Sequence, residues 1–363
     1  MQMKTFLAIL VFLHGMIHLL GFVKAYHLAE ISPLKQPITK PAGLLWLAAG
    51  VAFGLSIIFL LLKKENWWMI ALPALLLSQY LIVSTWQDAK FGTLANVLIL
   101  LAVGFAFAQW HYFSGYQKDV KHTLTTAQSA PHQTITTADL AGLPPLVQKY
   151  LHYTGVVNTR KPSAICIEFT GAMRSKGNDW FSFASEQYNT FHIPVRLFFM
   201  KGAVKQIPAW GYHVYKNGDA TMQVKLLSIT PVVDQQGSEL DQTETVTLFN
   251  DVCLFVPAWL VDKRIQWETL DAHSVKAVFT TNNLRISAVL VFNEEGQLVN
   301  FISDDRYDIS GGSAVRRRFS TPVKNYQTLN GIRIPTYGEA VYTYPDGDFV
   351  YGKFTLTRLT YIP

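Results

Sequence analysis

The chain has 363 residues, more than a single hydrophobic core usually serves, so two domains of ordinary size are expected. Half of its residues are hydrophobic and 15% are charged, but the apolar runs crowd residues 1–113, while 130–363 reads as ordinary water-soluble protein. A net charge of +6 argues for an anionic lipid surface and against nucleic acid, because Lys and Arg are scattered, with no arginine-rich helix and no zinc-finger spacing.

Four windows approach the roughly 20 apolar residues that cross a bilayer core: Phe6–Val23, Gly43–Leu62, Trp67–Trp86 and Thr93–Phe113. Trp46, Trp67, Trp68, Trp86, Trp110 and Tyr112 fall near their predicted ends, where an amphipathic ring prefers the headgroup layer. The first window follows Lys4 as a signal peptide would. It lacks a small-x-small cleavage site, carries two histidines and precedes three more spans, so it is expected to be retained. Residues 1–113 thus predict a four-helix transmembrane domain. Lys4, Lys63, Lys64, Lys118 and Lys121 would share one side, against Lys24, Lys35, Lys40 and Lys90 on the other. The Lys63–Lys64 pair tilts the balance toward a cytoplasmic soluble domain.

Residues 114–137 are rich in Gln and Thr and read as a linker. Leu140, Leu143, Leu146, Val147, Tyr150 and Leu151 then recur at helical spacing, with Pro144 and Pro145 expected in the first turn. From Ser163 the pattern alternates as half-buried strands do: Ala164–Met173, Trp180–Phe191, Val195–Val204 and Tyr212–Leu227. After a break at Gln235–Glu239, Glu244–Val261 changes to helical period, with Val246, Phe249, Val252, Cys253 and Val256 on one face, interrupted by Pro257. Turn-forming clusters at Asp271–Ser274, Thr281–Asn283, Asn293–Gly296, Leu329–Gly331 and Pro345–Gly347 mark an antiparallel meander, with a longer loop around Gly311–Gly312. The fold expected for 138–363 is therefore an antiparallel, β-rich α+β domain, a curved sheet or half-barrel covered by a helix. Cys166 and Cys253 form no metal or redox spacing and read as buried apolar side chains.

The segments "FTGAMR", "RIQWETLD", "VFNEEGQLVNFISDDRY", "STPVKNY" and "IPTYGEAVY", with "HGMIHLLGFVKAYHLAE" and "STWQDAKFGTLANV" in the apolar part, resemble an uncharacterised family of bacterial multi-pass membrane proteins, a domain of unknown function. That resemblance implies the cytoplasmic (inner) membrane and brings no reaction or cofactor with it. In architecture, a meander with a covering helix is similar to the half-barrels of periplasmic lipoprotein carriers, which implies a lipid-like ligand by analogy alone.

His14 and His18, four residues apart, share one face of the first helix. Ionisable groups at that depth suggest function: interhelical hydrogen bonding, a proton or substrate role, or ligation of a metal or haem. The turn after the third span brings Asp88, Lys90 and Asn96 to one membrane face. His18 and Lys24 would approach Asp88 there, unless Asp88 merely caps and Lys90 lies at headgroup level. In the soluble domain, Asp304, Asp305 and Arg306 end a strand. As neighbours on a strand the two carboxylates would point to opposite faces and serve in salt bridges rather than together in catalysis. Trp267, Glu268, Glu339 and His213 have no legible partner, and Arg316–Arg318 suits either lipid phosphates or a solvated strand edge. No nucleophile elbow, zinc helix or Cys–His pair appears.

The expected function is binding of a lipid-like or other apolar ligand in the β-rich domain, from its aromatic richness (Phe181, Phe183, Phe198, Phe199, Trp210, Tyr212, Phe292, Phe301, Tyr342, Tyr344 and Tyr351) beside a membrane anchor. The alternatives are a redox or proton-coupled membrane enzyme built on His14, His18 and Asp88, and a scaffold docking a protein partner.

Overall fold

The structure is a computed structural model that describes residues 2–128, 133–309 and 313–363. It divides into two units, Met1–Ser114 and Gly115–Pro363.

The first unit holds α1 (Gln2–Ala25), α2 (Lys40–Leu61), α3 (Trp68–Ser84), the short α4 (Trp86–Ala89) and the start of α5 (Gly92–Ala127). Thr39 caps α2, its side chain accepting from the Ala42 amide, and Pro41 follows at the position where its missing N–H costs nothing. Close packing of α1 on α2 depends on Gly21, where a Cβ would come within 2.3 Å of the Trp46 ring. Among the described residues, α1, α2 and α5 are long and apolar enough to cross a membrane. The third window yields a shorter helix than expected: α3 stops at Ser84 after 17 residues, about 26 Å of helix against a core of about 30 Å. Thr85 turns the chain, its hydroxyl donating back to the Leu81 carbonyl, and Trp86 starts the separate α4.

The linker expected at 114–137 is also corrected. α5 continues to Ala127, and Tyr116, Val120 and Thr123 are buried at helical spacing. Polar neighbours hid that stripe from a reading by hydrophobicity. The helix expected over 140–151 divides into α6 (Thr137–Leu140) and α7 (Pro145–Thr154), because Pro144 is extended and caps α7 instead of joining it.

The second unit is built on one antiparallel sheet with thirteen strands among the described residues, in the order β6-β5-β4-β3-β2-β1-β13-β12-β11-β10-β9-β8-β7. The first meander comprises β1 (Ala164–Met173), β2 (Phe181–Thr190), β3 (Val195–Val204), β4 (Ile207–Lys216), β5 (Asp219–Leu226) and β6 (Thr230–Gln236). The stretch Tyr212–Leu227, expected as one strand, folds as parts of β4 and β5 around Asn217–Gly218, both at positive φ, the geometry of a tight hairpin turn. The second meander runs through β7 (Ile265–Thr269), β8 (Ser274–Thr281), β9 (Leu284–Phe292), β10 (Leu298–Asp308), β11 (Val315–Leu329), β12 (Ile332–Tyr344) and β13 (Gly347–Ile362). The turn clusters read from the sequence fall between these strands; the loop around Gly311–Gly312 lies outside the described residues.

Helix α8 (Ser238–Phe255) and a 3-10 turn at Pro257–Trp259 connect the two meanders. The helix begins six residues before the expected Glu244, with Glu239 and Asp241 in its first turn, where carboxylates complement the helix dipole. This connection joins β6 to β7, the two edges of the sheet. The helix packs against β4, β5 and β6 from one half of the strand order and against β9, β10 and β12 from the other, so the sheet curls around it.

Candidate functional site: an apolar cavity with a buried arginine

Between the curled sheet and α8 lies a cavity of about 920 Å³. Alternation along the strands decides which side chains reach it. Phe198 and Met200 of β3 line the cavity, while Phe199 between them packs against Tyr116, with ring centroids 5.1 Å apart. The walls are Phe169, Phe181, Val224, Phe319, Leu356 and, from α8, Leu254. Val204 and Val232 also line it and are 42% and 51% exposed, so they mark a rim open to solvent.

A compact polar cluster interrupts this apolar wall. Arg196 of β3 donates from Nη1 to Glu244 Oε2 and from Nε to Asp251 Oδ2, each at 2.9 Å. Gln187 and Asn189 of β2 also donate to Asp251 Oδ2, at 2.7 and 3.0 Å. Glu244 and Asp251 are both buried and lie two turns apart on α8. Burial pushes the Glu244 carboxyl up, but Arg196, aided by His213 and Arg306, overrides that and holds it down at about 2. His213 lies 4.0 Å from Glu244 Oε1 and stacks edge-on against Phe198.

Arg306 faces the same cavity from β10. Its guanidinium lies 4.1 Å over the Phe319 ring and 5.8 Å from that of Tyr342. Burial disfavours its charge; the Tyr342 and Tyr351 hydroxyls and Glu244 outweigh this and raise its pKa further. Its Nε is buried without a hydrogen-bond partner.

The Asp304–Asp305–Arg306 run owes this arrangement to a bulge. The β10–β11 register slips between Ser303 and Arg306, which corrects the expectation that the two aspartates point to opposite faces. Asp304 pairs with Arg318 at 2.9 Å and Asp305 with Arg316, two positions on the same face of β11. Asp305 also accepts from the Ser287 amide and hydroxyl, at 2.6 and 2.9 Å. The bulge re-aims the next side chain, Arg306, inward. Arg317 faces the other way from its neighbours and reaches Asp308 at 3.3 Å.

Glu339 lines the cavity too and accepts from the Tyr337 hydroxyl at 2.7 Å. Trp267 packs half-buried against the core, and exposed Glu268 stands opposite Lys276 in the β7–β8 register. Sequence reasoning missed Arg196, Gln187, Asn189, Glu244 and Asp251. A Glu and an Asp seven residues apart on an otherwise apolar helix face were the available signal.

In the first unit, His14 Nε2 lies 2.8 Å from Asn96 Oδ1 and 3.1 Å from Ser78 Oγ. Asn96 donates onward to Gln79 Oε1 at 2.9 Å. His18 Nδ1 donates to the His14 carbonyl at 2.9 Å, and the two rings meet edge to face. Asp88, grouped with His18 by the sequence, instead accepts the Lys35 and Gln36 amides at 2.6 and 2.7 Å. Lys24 donates to the Leu34 carbonyl, so both side chains bind the loop before α2, while Lys90 lies over the Phe91 ring. Among the described residues no group of three or more His, Cys, Asp or Glu is arranged to hold a metal.

The sequence model of a family of unknown function, DUF6544, matches residues 133–354. The chain belongs to this family. The matched segment contains β1 to β12, α8, both meander edges and every polar member of the cavity cluster. No curated protein matches the chain in sequence. Among solved structures, a LolA superfamily protein from Nitrosomonas europaea aligns over 60% of this chain and 93% of its own, with 9% identity and a TM-score of 0.35.

Proposed function

We propose that the β-rich domain binds an amphipathic, lipid-like molecule in the cavity between sheet and α8, and that the apolar helices anchor the protein in a bilayer. The cavity itself carries this reading. Its volume of about 920 Å³ is near the top of the range of about 300–1,000 Å³ for small-molecule sites, and such sites combine apolar walls with a few placed polar groups. Aromatic and aliphatic side chains supply the walls here, and the Arg196, Glu244 and Arg306 cluster supplies the polar groups.

The helices fit a bilayer because α1 leaves Ile9, Phe12, Leu13, Met16 and Ile17 exposed, a face that water would penalise and hydrocarbon would not. We read α3 as a fourth, short span, accommodated by local thinning, and the lysine balance as placing Lys63, Lys64 and the β-rich domain on the cytoplasmic side of the inner membrane.

The test is native mass spectrometry of the full chain after exchange from detergent into amphipol, beside the cavity-filling variant Met200→Trp. The parent should retain a lipid-like molecule near one equivalent, and the variant should lose it. Identical retention by a folded variant would assign the bound lipid to the helices and remove the cavity from the reading.

A further inference from the structure

We propose that Arg306 is a headgroup subsite: it takes the oxyanion of an acyl-chain ligand, a carboxylate or a phosphate, and draws that head to the inner wall of the cavity. This inference rests on the ligand-binding reading above and names the ligand's chemistry.

The first support is the unequal partnering of the cavity's arginines. Arg196 is saturated by two buried carboxylates. Arg306, half-buried in the cavity wall, has no ion pair among the described residues, and a cation drawn partly out of water without a carboxylate is costly. Glu244 acts on it through space without forming an ion pair with it, while its two oxygens face Arg196 at 2.9 Å and His213 at 4.0 Å.

A second observation is orientation. The Phe319 ring lies 4.1 Å from the guanidinium and the Tyr342 hydroxyl engages part of its N–H edge; the Nε side is left for a ligand, and a guanidinium edge matches the planar geometry of a carboxylate or phosphate. The unpartnered Nε–H belongs to this edge.

The third is the bulge between Ser303 and Arg306. A regular strand would alternate Asp304, Asp305 and Arg306 across the sheet. The slip puts both aspartates on surface arginines and delivers Arg306 alone to the apolar side, away from the carboxylates adjacent to it in sequence. An acyl chain whose head meets Arg306 would lie along Phe198, Met200 and Leu254.

The experiment uses the full chain in nanodiscs with a diazirine-bearing palmitic acid and, separately, its methyl ester, reading the probe concentration for half-maximal labelling of cavity peptides. The acid should label the parent at a concentration at least about tenfold lower than it labels Arg306→Met, as expected for a charge-assisted hydrogen bond. Arg306→Lys should recover part of the difference, and the ester should label parent and Arg306→Met alike. Competition by unlabelled palmitate or by lysophosphatidic acid then separates a carboxylate ligand from a phosphate one. Thermal unfolding of each variant checks the fold, and the ester's own labelling of the cavity reports that Arg306→Met keeps an intact pocket. Equal labelling of parent and Arg306→Met by the acid overturns the headgroup role and leaves the cavity reading standing. Absence of cavity labelling by either probe overturns both.

Discussion

Arg196 of β3 and Asp251 of α8 are joined at 2.9 Å, and the same guanidinium reaches Glu244 two turns earlier on the helix. One sheet residue thereby fixes both the height and the rotation of the helix that closes the cavity. Replacing it with Met leaves two carboxylates buried without a cation. Arg196→Met should lose about 3–5 kcal/mol of stability, measured by urea unfolding of the full chain followed through tryptophan fluorescence. Adding Glu244→Gln and Asp251→Asn should recover much of the loss. A single variant as stable as the parent would sink the pinning role.

Glu244 gives the pH dependence a definite sign. Its folded carboxyl titrates at about 2, below the ordinary 4.5, so its contribution is present in full above the ordinary value and is lost as pH falls toward about 2. The melting temperature of the β-rich unit should hold from pH 7 to about 5 and fall steeply below it. Glu244→Gln should flatten part of that fall; an unchanged slope would assign acid unfolding to other carboxylates.

Tyr116 tests the continuation of α5. It is fully buried, contacts Tyr188, Phe199 and Tyr212, and donates to the Glu186 carbonyl at 3.2 Å. Tyr116→Ala should destabilise by about 3 kcal/mol, as truncation of a buried aromatic does. Thermal unfolding monitored by hydrogen exchange of β2 to β4 would show the loss localised there, and unaltered protection would contradict this packing.

Asn96 links His14 to Gln79. Asn96→Ala should cost about 1 kcal/mol in detergent, the usual scale of an interhelical hydrogen bond in apolar surroundings. A much larger loss of ligand binding than of stability would instead revive a functional role for the His14–His18 pair.

Much of the β-rich domain was legible because alternation and turn chemistry are local. Ala164–Met173 and Val195–Val204 match observed strands end for end, and the Asn- and Gly-rich clusters fall at the turns. Where polar residues carried a buried stripe, as at Tyr116, Val120 and Thr123, hydrophobic period alone missed the helix. The cavity cluster was illegible for a different reason. Arg196 meets Glu244 and Asp251 only because the sheet curls around α8, and Arg306 points inward only because of a register slip that depends on pairing with β11. Of the candidates in this domain, His213, Arg306 and Glu339 reached the cavity. Asp304 and Asp305 serve the opposite face, and Trp267 and Glu268 lie at the β7 edge.

The β1–β13 pairing has a consequence for biogenesis. Every other strand pair joins neighbours in sequence, so each meander can zip from its own hairpins while the chain is still emerging. Ala164 must wait for Ile362, with both meanders and α8 made in the interval. A nascent chain therefore exposes two half-formed apolar troughs until its final strand arrives. The last sixteen-residue strand acts as a keystone, so a premature stop before Gly347 would release an aggregation-prone intermediate instead of a slightly shortened domain.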